Sequence, residues 1–311
     1  MTGMLHAAYY ADCAGQSRVT VIENVQLARD TFRVRFSAPH LAARIVPGQF
    51  IMLRLAGGTD PLLGRPLALY DVVLDSTGRP DAVDVVYLVK GRLTSRLRHF
   101  IPGQQLDVWG PLGNGFPVQD TDHLIMVAGG IGQTPFKALG AEHLGRRNFG
   151  EGERIVPAVG RVTLCYGARS ADYLAGVDDF AQSGIDVRVA TDDGSHGRRG
   201  FVTELLAELL ADETSRAAAA GRSLNPKNPT DGGRPPVRVV CCGPEPMLAR
   251  VARIAAEAGV PCQVSLETPM ACGIGICFTC VAKVRDEHGE WDYKRTCVEG
   301  PIFDASAIEW E

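Results

Sequence analysis

The sequence lacks the features that mark several broad classes of protein. Over its 311 residues, no apolar run approaches the roughly 18–20 residues that a membrane-spanning helix needs. Charge is balanced, with 32 Lys and Arg against 36 Asp and Glu and a formal net charge of -4. No basic block is long enough to follow a phosphate backbone. We therefore expect neither a membrane nor a nucleic acid as a partner.

The N-terminal residues also lack the basic and apolar regions of a secretory signal. We therefore expect the chain to stay in the reducing cytoplasm, where disulfides are rare. Nine cysteines in that compartment indicate metal binding or redox chemistry rather than disulfide formation. Glycine, by contrast, is plentiful at 35 residues, which predicts tight turns and close backbone approaches.

Residues 1–117 have the composition of a small antiparallel β-barrel. Short runs of β-branched or alternating character are separated by glycine- and proline-containing turns. Strands this frequent favour a barrel over a helical domain. The predicted strands are 18–25, 31–37, 50–55, 67–73 and 83–89.

Residues 118–262 alternate apolar strands with helical stretches, which predicts a parallel sheet covered by helices. The segment 211–236 has no sustained apolar period, and we expect it to be a flexible surface insertion. The predicted strands are 124–128, 163–166, 186–190 and 237–242, and the predicted helices are 135–144, 202–211 and 246–258.

Residues 263–311 contain four cysteines in a segment too small for a large core of its own, so a metal centre would supply the missing constraint. Three of them follow the C-x4-C-x2-C spacing of plant-type 2Fe-2S ferredoxins, and sixteen residues separate the third from the fourth. A zinc site is the alternative, but it usually pairs its thiolates in two close knuckles, and only one close pair is present. The four cysteines are Cys272, Cys277, Cys280 and Cys297.

Two glycine-rich turns follow predicted strands. The first holds Gly129, Gly130 and Gly132, and we expect Thr134 to cap the next helix, with Pro135 in its first turn. Backbone donors there could face an anionic phosphate. The second turn, Cys242-Gly243-Pro244, should lie at the same sheet edge. Either turn could equally be a plain connection without a ligand, and Cys242 could be a buried small hydrophobe.

In the barrel, Arg65 and Pro66 place an arginine at the start of a strand, where its guanidinium could bind a pyrophosphate. Gly91 and Thr94 could add a backbone N–H and a hydroxyl to the same phosphates. A surface arginine paired with an acidic neighbour is the alternative.

Taken in order along the chain, these motifs resemble the ferredoxin-NADP reductase-like flavoprotein superfamily. Within it, the stretches 267–280 and 294–303 are similar to the PyrK family, the electron-transfer subunits of NAD-dependent dihydroorotate dehydrogenase, and 191–202 fits the same family. The resemblance implies an antiparallel Greek-key FAD barrel (1–117), a parallel-sheet nucleotide-binding domain (118–262) and a small C-terminal 2Fe-2S domain (263–311).

The resemblance also implies which residues bind the cofactors. At two positions the chain departs from the family: Ala68 stands where Ser or Thr is usual, and Leu93 where a Gly-Thr pair would be usual. The residues implied for FAD are Arg65, Pro66, Leu67, Ala68, Tyr87, Leu88, Val89, Leu93 and Thr94. Those expected for NAD are Gly129, Gly130, Gly132, Thr134, Cys242, Gly243 and Pro244.

In this family, electrons would come from the FMN of a separate catalytic subunit, pass through 2Fe-2S and FAD, and reach NAD+. The resemblance thus implies a heterotetramer of two copies of each subunit, in pyrimidine biosynthesis. Ile274, Ile276 and Phe278 alternate with the cysteines and could form a dry docking face or pack under the loop. We expect no catalytic residue in this chain, because all three regions are committed to cofactors.

Two further functions remain open from the sequence. The chain could be the flavin and iron-sulfur reductase subunit of an oxygenase, a hydrogenase or a transhydrogenase. It could instead be a zinc-stabilised binding module without enzymatic activity, and this protein would be colourless.

Overall fold

The computed structural model describes residues 13–151, 154–225 and 235–310. The strands are β1 (Gly15–Ala28), β2 (Thr31–Ser37), β3 (Phe50–Leu55), β4 (Arg65–Leu74), β5 (Pro80–Leu88), β6 (Gln105–Leu112), β7 (His123–Gly129), β8 (Arg161–Ala168), β9 (Asp186–Thr191), β10 (Arg198–Arg199), β11 (Val237–Cys242), β12 (Cys262–Ser265), β13 (Val281–Arg285), β14 (Trp291–Arg295) and β15 (Ile302–Asp304).

The helices are α1 (Pro39–Arg44), α2 (Arg92–Leu97), α3 (Phe136–His143), α4 (Val177–Gln182), α5 (Val202–Ala219) and α6 (Glu245–Glu257). Short 3-10 turns cover Gly130–Gln133, Ala171–Tyr173 and Ala305–Ala307.

The chain divides into two compact units. The first comprises Met1–Pro117, Phe149–Glu153 and Glu267–Ile302, and the second comprises Val118–Asn148, Arg154–Leu266 and Phe303–Glu311. The cysteine-rich segment thus belongs to the same unit as the N-terminal region.

In the first unit, six strands close into an antiparallel barrel in the order β1-β2-β5-β4-β3-β6. Strands β3, β4 and β5 are consecutive neighbours and β6 returns to lie beside β3, which is a Greek-key arrangement. The barrel interior is apolar because alternate residues of each strand point inward, such as Val34 and Phe36 of β2, both fully buried. The hairpin β13-β14 forms a separate two-stranded sheet.

The second unit is built on a seven-stranded sheet in the order β10-β9-β8-β7-β11-β12-β15. The pairings from β10 to β12 are all parallel. The carboxyl ends of β7 and β11 therefore lie side by side, with Ala128 opposite Cys242. This is the edge at which open α/β sheets bind their ligands.

Helix α5 shows that part of the expected surface insertion was wrongly predicted. The helix continues to Ala219, so residues 211–219 are helical rather than a flexible loop. Buried side chains at Leu206, Leu210, Glu213 and Ala217 maintain the spacing of three to four residues of a packed helix face. The alanines were mistaken for low-complexity sequence, although alanine has the highest helix propensity. Residues 226–234 lie outside the described residues.

Candidate functional site

The four predicted cluster cysteines lie in one part of the first unit. Cys272 and Cys277 belong to the loop before β13, whereas Cys280 and Cys297 flank the β13-β14 hairpin. The hairpin brings Cys280 and Cys297 together because Thr296 donates its N–H to the carbonyl of Cys280 at 2.9 Å. Cys280 and Cys297 are buried, Cys272 is half-buried and Cys277 is exposed.

The thiols are arranged as two pairs. A hydrogen bond with Cys297 lowers the pKa of Cys280 to about 6. The Thr279 hydroxyl donates to Cys277 Sγ at 3.0 Å, and this bond lowers the pKa of Cys277 to about 6. A hydrogen bond with the neighbouring thiol of Cys272 lowers it in the same direction. Such hydrogen bonds favour the thiolate, which is the form that binds iron.

The chemistry of these four thiols fits a 2Fe-2S cluster. Such a cluster takes two cysteine thiolates at each of its two irons, and the four cysteines lie in one loop and at the ends of the hairpin that follows it. Backbone and hydroxyl donors point at the sulfur atoms of Cys272 and Cys277. The residues present therefore fit a 2Fe-2S cluster.

The loop around these thiols has little side-chain bulk. Gly273 and Gly275 have φ angles of 73° and 80°, in the left-handed region that favours glycine. The N–H of Ile274 points at Cys272 Sγ, 3.4 Å away. A Cβ on Gly273 would lie 2.6 Å from Met52 Cγ, so the loop is pressed directly onto strand β3 of the barrel.

The barrel register explains what lies beneath the loop. Met52 of β3 is opposite Pro66 of β4, and Phe50 is opposite Ala68. Residues directly opposite in an antiparallel pair point to the same face of the sheet. Phe50 and Met52 pack against Cys280, Cys297 and Val298. Pro66 and Ala68, the residues expected to bind flavin, therefore share one outer face with the floor of the cluster loop.

On this face, the expected flavin strand is partly open. Residues 65–68 are all half-buried, although neighbouring Leu69 and Tyr70 are fully buried. Arg65 Nη1 donates to the carbonyls of Leu63 at 3.2 Å and Gly64 at 2.9 Å. In the described part of the chain it therefore contacts backbone carbonyls, not the acidic side chain considered from the sequence. An apolar, accessible strand next to the cluster loop is a suitable surface for a flavin ring.

Three of the other predicted flavin residues are buried, and the hydroxyls of two of them already have hydrogen-bond partners. Tyr87 is buried in β5 and its hydroxyl donates to Asn24 Oδ1 at 3.0 Å, while burial raises its pKa. Leu88 and Val89 are half-buried. Leu93 and Thr94 are buried in α2, and the Thr94 hydroxyl accepts the N–H of Lys90 at 2.7 Å. Thr94 therefore fixes the turn before α2 rather than presenting a free hydroxyl.

In the second unit, the two glycine-rich turns meet at the carboxyl edge of β7 and β11. A Cβ on Gly132 would lie 2.2 Å from the carbonyl oxygen of Cys242, and one on Gly129 would lie 2.9 Å from Pro244 Cδ. Gly243 has a φ of 152° and lies against the backbone of Gly129. The structure thus brings the predicted nucleotide residues of both turns together.

Gly130 differs from the other glycines at this edge. Its φ is 56°, and a Cβ built on it meets nothing within 4 Å. The expectation for Thr134 is wrong, since α3 begins with Pro135 as the N-cap and no side chain caps it. Thr134 instead ends the short 3-10 turn Gly130–Gln133, which the sequence did not predict. The backbone at Gly130 is therefore open, whereas Gly129, Gly132 and Gly243 are in close contact with neighbouring atoms.

Sequence reasoning missed Phe50, Met52 and Trp109, the barrel residues that support the cluster loop. Trp109 Nε1 donates to the carbonyl of Cys272 at 3.0 Å. Strand alternation alone could show that Phe50 and Met52 share a face, but not what covers that face.

Two family models match the chain. The oxidoreductase FAD-binding domain matches residues 18–116, and the iron-sulfur cluster binding domain of dihydroorotate dehydrogenase B matches residues 267–309. Among the described residues, no helix is both long and apolar enough to cross a bilayer. The fold and these domains define an iron-sulfur flavoprotein of the oxidoreductase class.

Curated relatives narrow this class. The dihydroorotate dehydrogenase B (NAD(+)) electron transfer subunit of Desulforamulus reducens is 33% identical over 94% of this chain and 97% of its own length. The subunit of the same name from Bacillus caldolyticus is 33% identical over 94% of this chain and 98% of the relative. The chain belongs to the family of dihydroorotate dehydrogenase B electron transfer subunits.

Solved structures share the fold. A chain of the NADH-dependent reduced ferredoxin-NADP oxidoreductase, studied for flavin-based electron bifurcation, is 27% identical, with a TM-score of 0.72 over 95% of this chain and 91% of that chain. The ferredoxin reductase in carbazole 1,9a-dioxygenase is 19% identical, with a TM-score of 0.59 over 80% of this chain and 67% of that chain. This second likeness concerns the fold alone.

Proposed function

We propose that this chain is the electron-transfer subunit of an NAD-dependent dihydroorotate dehydrogenase, working in pyrimidine biosynthesis. It carries electrons between a catalytic, FMN-containing subunit that oxidises dihydroorotate and NAD+. Its resident groups are FAD and one 2Fe-2S cluster, and NAD is its co-substrate. Dihydroorotate chemistry itself belongs to the partner, and this chain contributes no catalytic side chain.

The observation that carries the proposal is the shared outer face of β3 and β4. Met52 supports the cluster loop and lies opposite Pro66 of the flavin strand. Neighbouring strands are about 4.8 Å apart, so the two groups would be held next to each other by one rigid sheet. A cluster exchanges single electrons and a flavin exchanges one or two, which is the conversion that links such a chain to a nicotinamide.

The protein residues provide positions, hydrogen bonds and exclusion of water. Cys272, Cys277, Cys280 and Cys297 are the cluster ligands that we propose. The Ile274 N–H and the Thr279 hydroxyl point at sulfur, and hydrogen bonds to sulfur tune a cluster's potential. The apolar residues beneath the loop keep water from its inner side.

We propose that FAD binds along 65–68 and 87–89 and beside the turn at 93–94, which the Thr94 hydroxyl holds in place. NAD would bind at the edge where Gly130 and Gly243 meet. The three functional regions would be 1–117 for FAD, 118–262 for NAD and 263–311 for the cluster. The open space above Gly130 supports the nucleotide assignment. Because Ala68 has no hydroxyl, only backbone N–H groups of β4 can hydrogen-bond the flavin ring there.

The catalytic subunit would dock at the exposed tip of the cluster loop, within a heterotetramer of two of each subunit. Ile276 is 67% exposed and Phe278 is 62% exposed. Phe278 also has a φ of 56°, a costly conformation for a bulky residue and one found where function requires it. Exposed apolar side chains and a left-handed φ at a bulky residue are both unfavourable in a chain without a partner. They therefore support a partner subunit that covers this loop. We also propose a cytoplasmic location, because cysteines that serve as cluster ligands fit a reducing compartment, where disulfides are rare.

The variant Phe278→Asp tests the docking surface. A buried charge at the interface should weaken assembly with the catalytic subunit, measured by ultracentrifugation, while iron and flavin content stay unchanged. Trp291→Phe, on the hairpin, is the control and should assemble normally. Assembly of Phe278→Asp at wild-type affinity would contradict the docking surface.

A second function is favoured by the likeness to the NADH-dependent reduced ferredoxin-NADP oxidoreductase. The chain could serve as the flavin and iron-sulfur subunit of such a bifurcating enzyme. The curated relatives are more similar, with 33% identity across almost their whole length, so the dihydroorotate system comes first.

The deciding experiment uses the reconstituted complex with the catalytic subunit. Cys280→Ser should abolish electron transfer from dihydroorotate to NAD+ and leave the catalytic subunit active with an artificial acceptor. Cys165→Ser, at a buried cysteine in the second unit, is the control. Full dihydroorotate:NAD+ activity in Cys280→Ser would refute the proposed function.

A further inference from the structure

Trp109 connects the cluster loop to the start of the flavin strand. It lies on β6, opposite Met52 of β3, and Met52 lies opposite Pro66 of β4. The three residues therefore form one row across three adjacent strands. Trp109 is half-buried and packs against the apolar cluster that contains Cys280 and Cys297.

One end of the indole holds the cluster loop. Nε1–H donates to the carbonyl oxygen of Cys272 at 3.0 Å, and Cys272 is itself a proposed ligand. The next residue, Gly273, has a left-handed φ and no side chain, so it adds no anchor of its own. Another anchor of this loop is the bond from Arg295 Nη1 to the carbonyl of Gly275 at 3.1 Å. The indole thus restrains the N-terminal half of the cluster loop.

The other end of the indole lies against Gly64, immediately before Arg65. A Cβ on Gly64 would be 2.7 Å from Trp109 Cη2 and 3.0 Å from the carbonyl oxygen of Leu53. Gly64 is buried, so ring and backbone are in close contact. The same side chain thus contacts the segment that starts the flavin strand and the residue that would bind iron.

We propose that Trp109 is a positioning residue for electron transfer, which sets the distance and orientation of the cluster relative to the flavin strand. The inference rests on the proposed function. Electronic coupling between two redox groups falls steeply with distance, so a loop that moves would slow transfer. A hydrogen bond to a ligand's own carbonyl restrains that ligand in the way that outer-shell partners orient metal ligands.

The variant Trp109→Phe separates positioning from packing, because it keeps an aromatic ring against Gly64 and removes the N–H. The purified holoprotein is reduced with NADH in an anaerobic stopped-flow instrument, and flavin and cluster absorbance are followed separately. We expect wild-type iron and flavin content, an unchanged rate of flavin reduction, and cluster reduction slowed roughly 10-fold. The visible circular dichroism of the cluster should also change.

Trp291→Phe is the matched control, since Trp291 lies on β14 and is 49% exposed, and it should leave both rates unchanged. An unchanged cluster rate and dichroism in Trp109→Phe would overturn the inference. Loss of the cluster from Trp109→Phe, with FAD retained, would also overturn it, because the role would then be stability. Wild-type protein without iron or flavin would instead refute the proposed function.

Discussion

In the first unit, which carries the cluster loop, the most closely packed glycine of that loop faces a side chain, whereas in the second unit the most closely packed glycine of the β7 turn faces backbone. Gly273 lies against Met52 Cγ, and Gly132 lies against the carbonyl of Cys242. A flexible side chain can move away from an added methyl group, but two strands of a sheet cannot. The cluster loop therefore packs on the outer face of the barrel through a side chain of β3. The glycine turns of the second unit, by contrast, pack backbone against backbone at the edge of the sheet.

Gly132→Ala should have the largest effect on stability. The added Cβ would lie 2.2 Å from a backbone oxygen, so the β7 and β11 turns must separate, at a cost of about 3 kcal/mol. Chemical denaturation followed by circular dichroism measures the loss. Gly160→Ala is the control in the same unit, because its nearest atom is 3.6 Å away. If Gly132→Ala and Gly160→Ala were equally stable, the close backbone contact of Gly132 would not matter for folding, and the contrast with Gly273 would fail.

Gly273→Ala should have a smaller and local effect. The substitution combines a left-handed φ with contact to Met52, and we expect about 2 kcal/mol of destabilisation. Iron per chain should fall while flavin per chain stays constant, as measured by metal analysis and extraction of FAD. Gly289→Ala is the control, because Gly289 has a φ of 84° and a Cβ there meets nothing within 4 Å. This variant therefore measures the cost of the left-handed backbone without a steric contact. Iron loss equal to that in Gly289→Ala would show that Met52 does not hold the loop.

Acid should destabilise the second unit before the first. Burial lowers the pKa of His143 to about 4 and that of His123 to about 3, whereas an unfolded histidine titrates near 6.5. Between these values the unfolded chain binds more protons than the folded chain, so stability falls as pH drops from about 6.5 towards 4.

The first unit should respond in a lower range of pH. A hydrogen bond from Arg18 holds the pKa of Asp107 below its usual value, so its contribution is present above about pH 4 and is lost as pH falls further. Urea denaturation at several pH values measures both ranges. His143→Gln should reduce the slope in the upper range, where His123 still contributes, and leave the lower range unchanged; an unchanged upper slope in that variant would contradict this assignment.

Gly130→Ala should have the smallest effect on folding. Its φ of 56° costs a residue with a Cβ about 1 kcal/mol, and the methyl group meets nothing within 4 Å. If the nucleotide phosphates approach there, the Kd for NADH should rise several-fold, as measured by fluorescence titration. Gly221→Ala, with a φ of 68° in open space, is the control. Wild-type NADH affinity in Gly130→Ala would place the nucleotide elsewhere.

The parts of the fold that the sequence predicted are those with a strong local pattern. The boundaries of β2, β3 and β11 were predicted to the residue, because each is an uninterrupted apolar or alternating run. Strand β6 was missed, since Gly110 and Pro111 resemble a turn, and β12 was missed because it has only four residues. Thr134 was misplaced because a 3-10 turn intervenes before α3.

In the candidate site, too, local features could be predicted from the sequence and long-range contacts could not. The proposed ligand set follows from cysteine spacing alone, because three of the four cysteines are close together in sequence. The support from Met52 and Trp109 could not, since it depends on strand register and on contacts such as that between Trp109 and Cys272, far apart in the chain. Pairing of the thiols likewise requires the β13-β14 hairpin, which closes Cys280 onto Cys297.

The central claim is that one chain holds a flavin and a 2Fe-2S cluster side by side on the outer face of its barrel. An anaerobic visible spectrum of the purified chain, with flavin and iron quantified before and after NADH is added, tests it most directly. The account predicts about one flavin and about two irons per chain, with flavin and cluster absorbance both bleached by NADH. A colourless protein that contains zinc would contradict it.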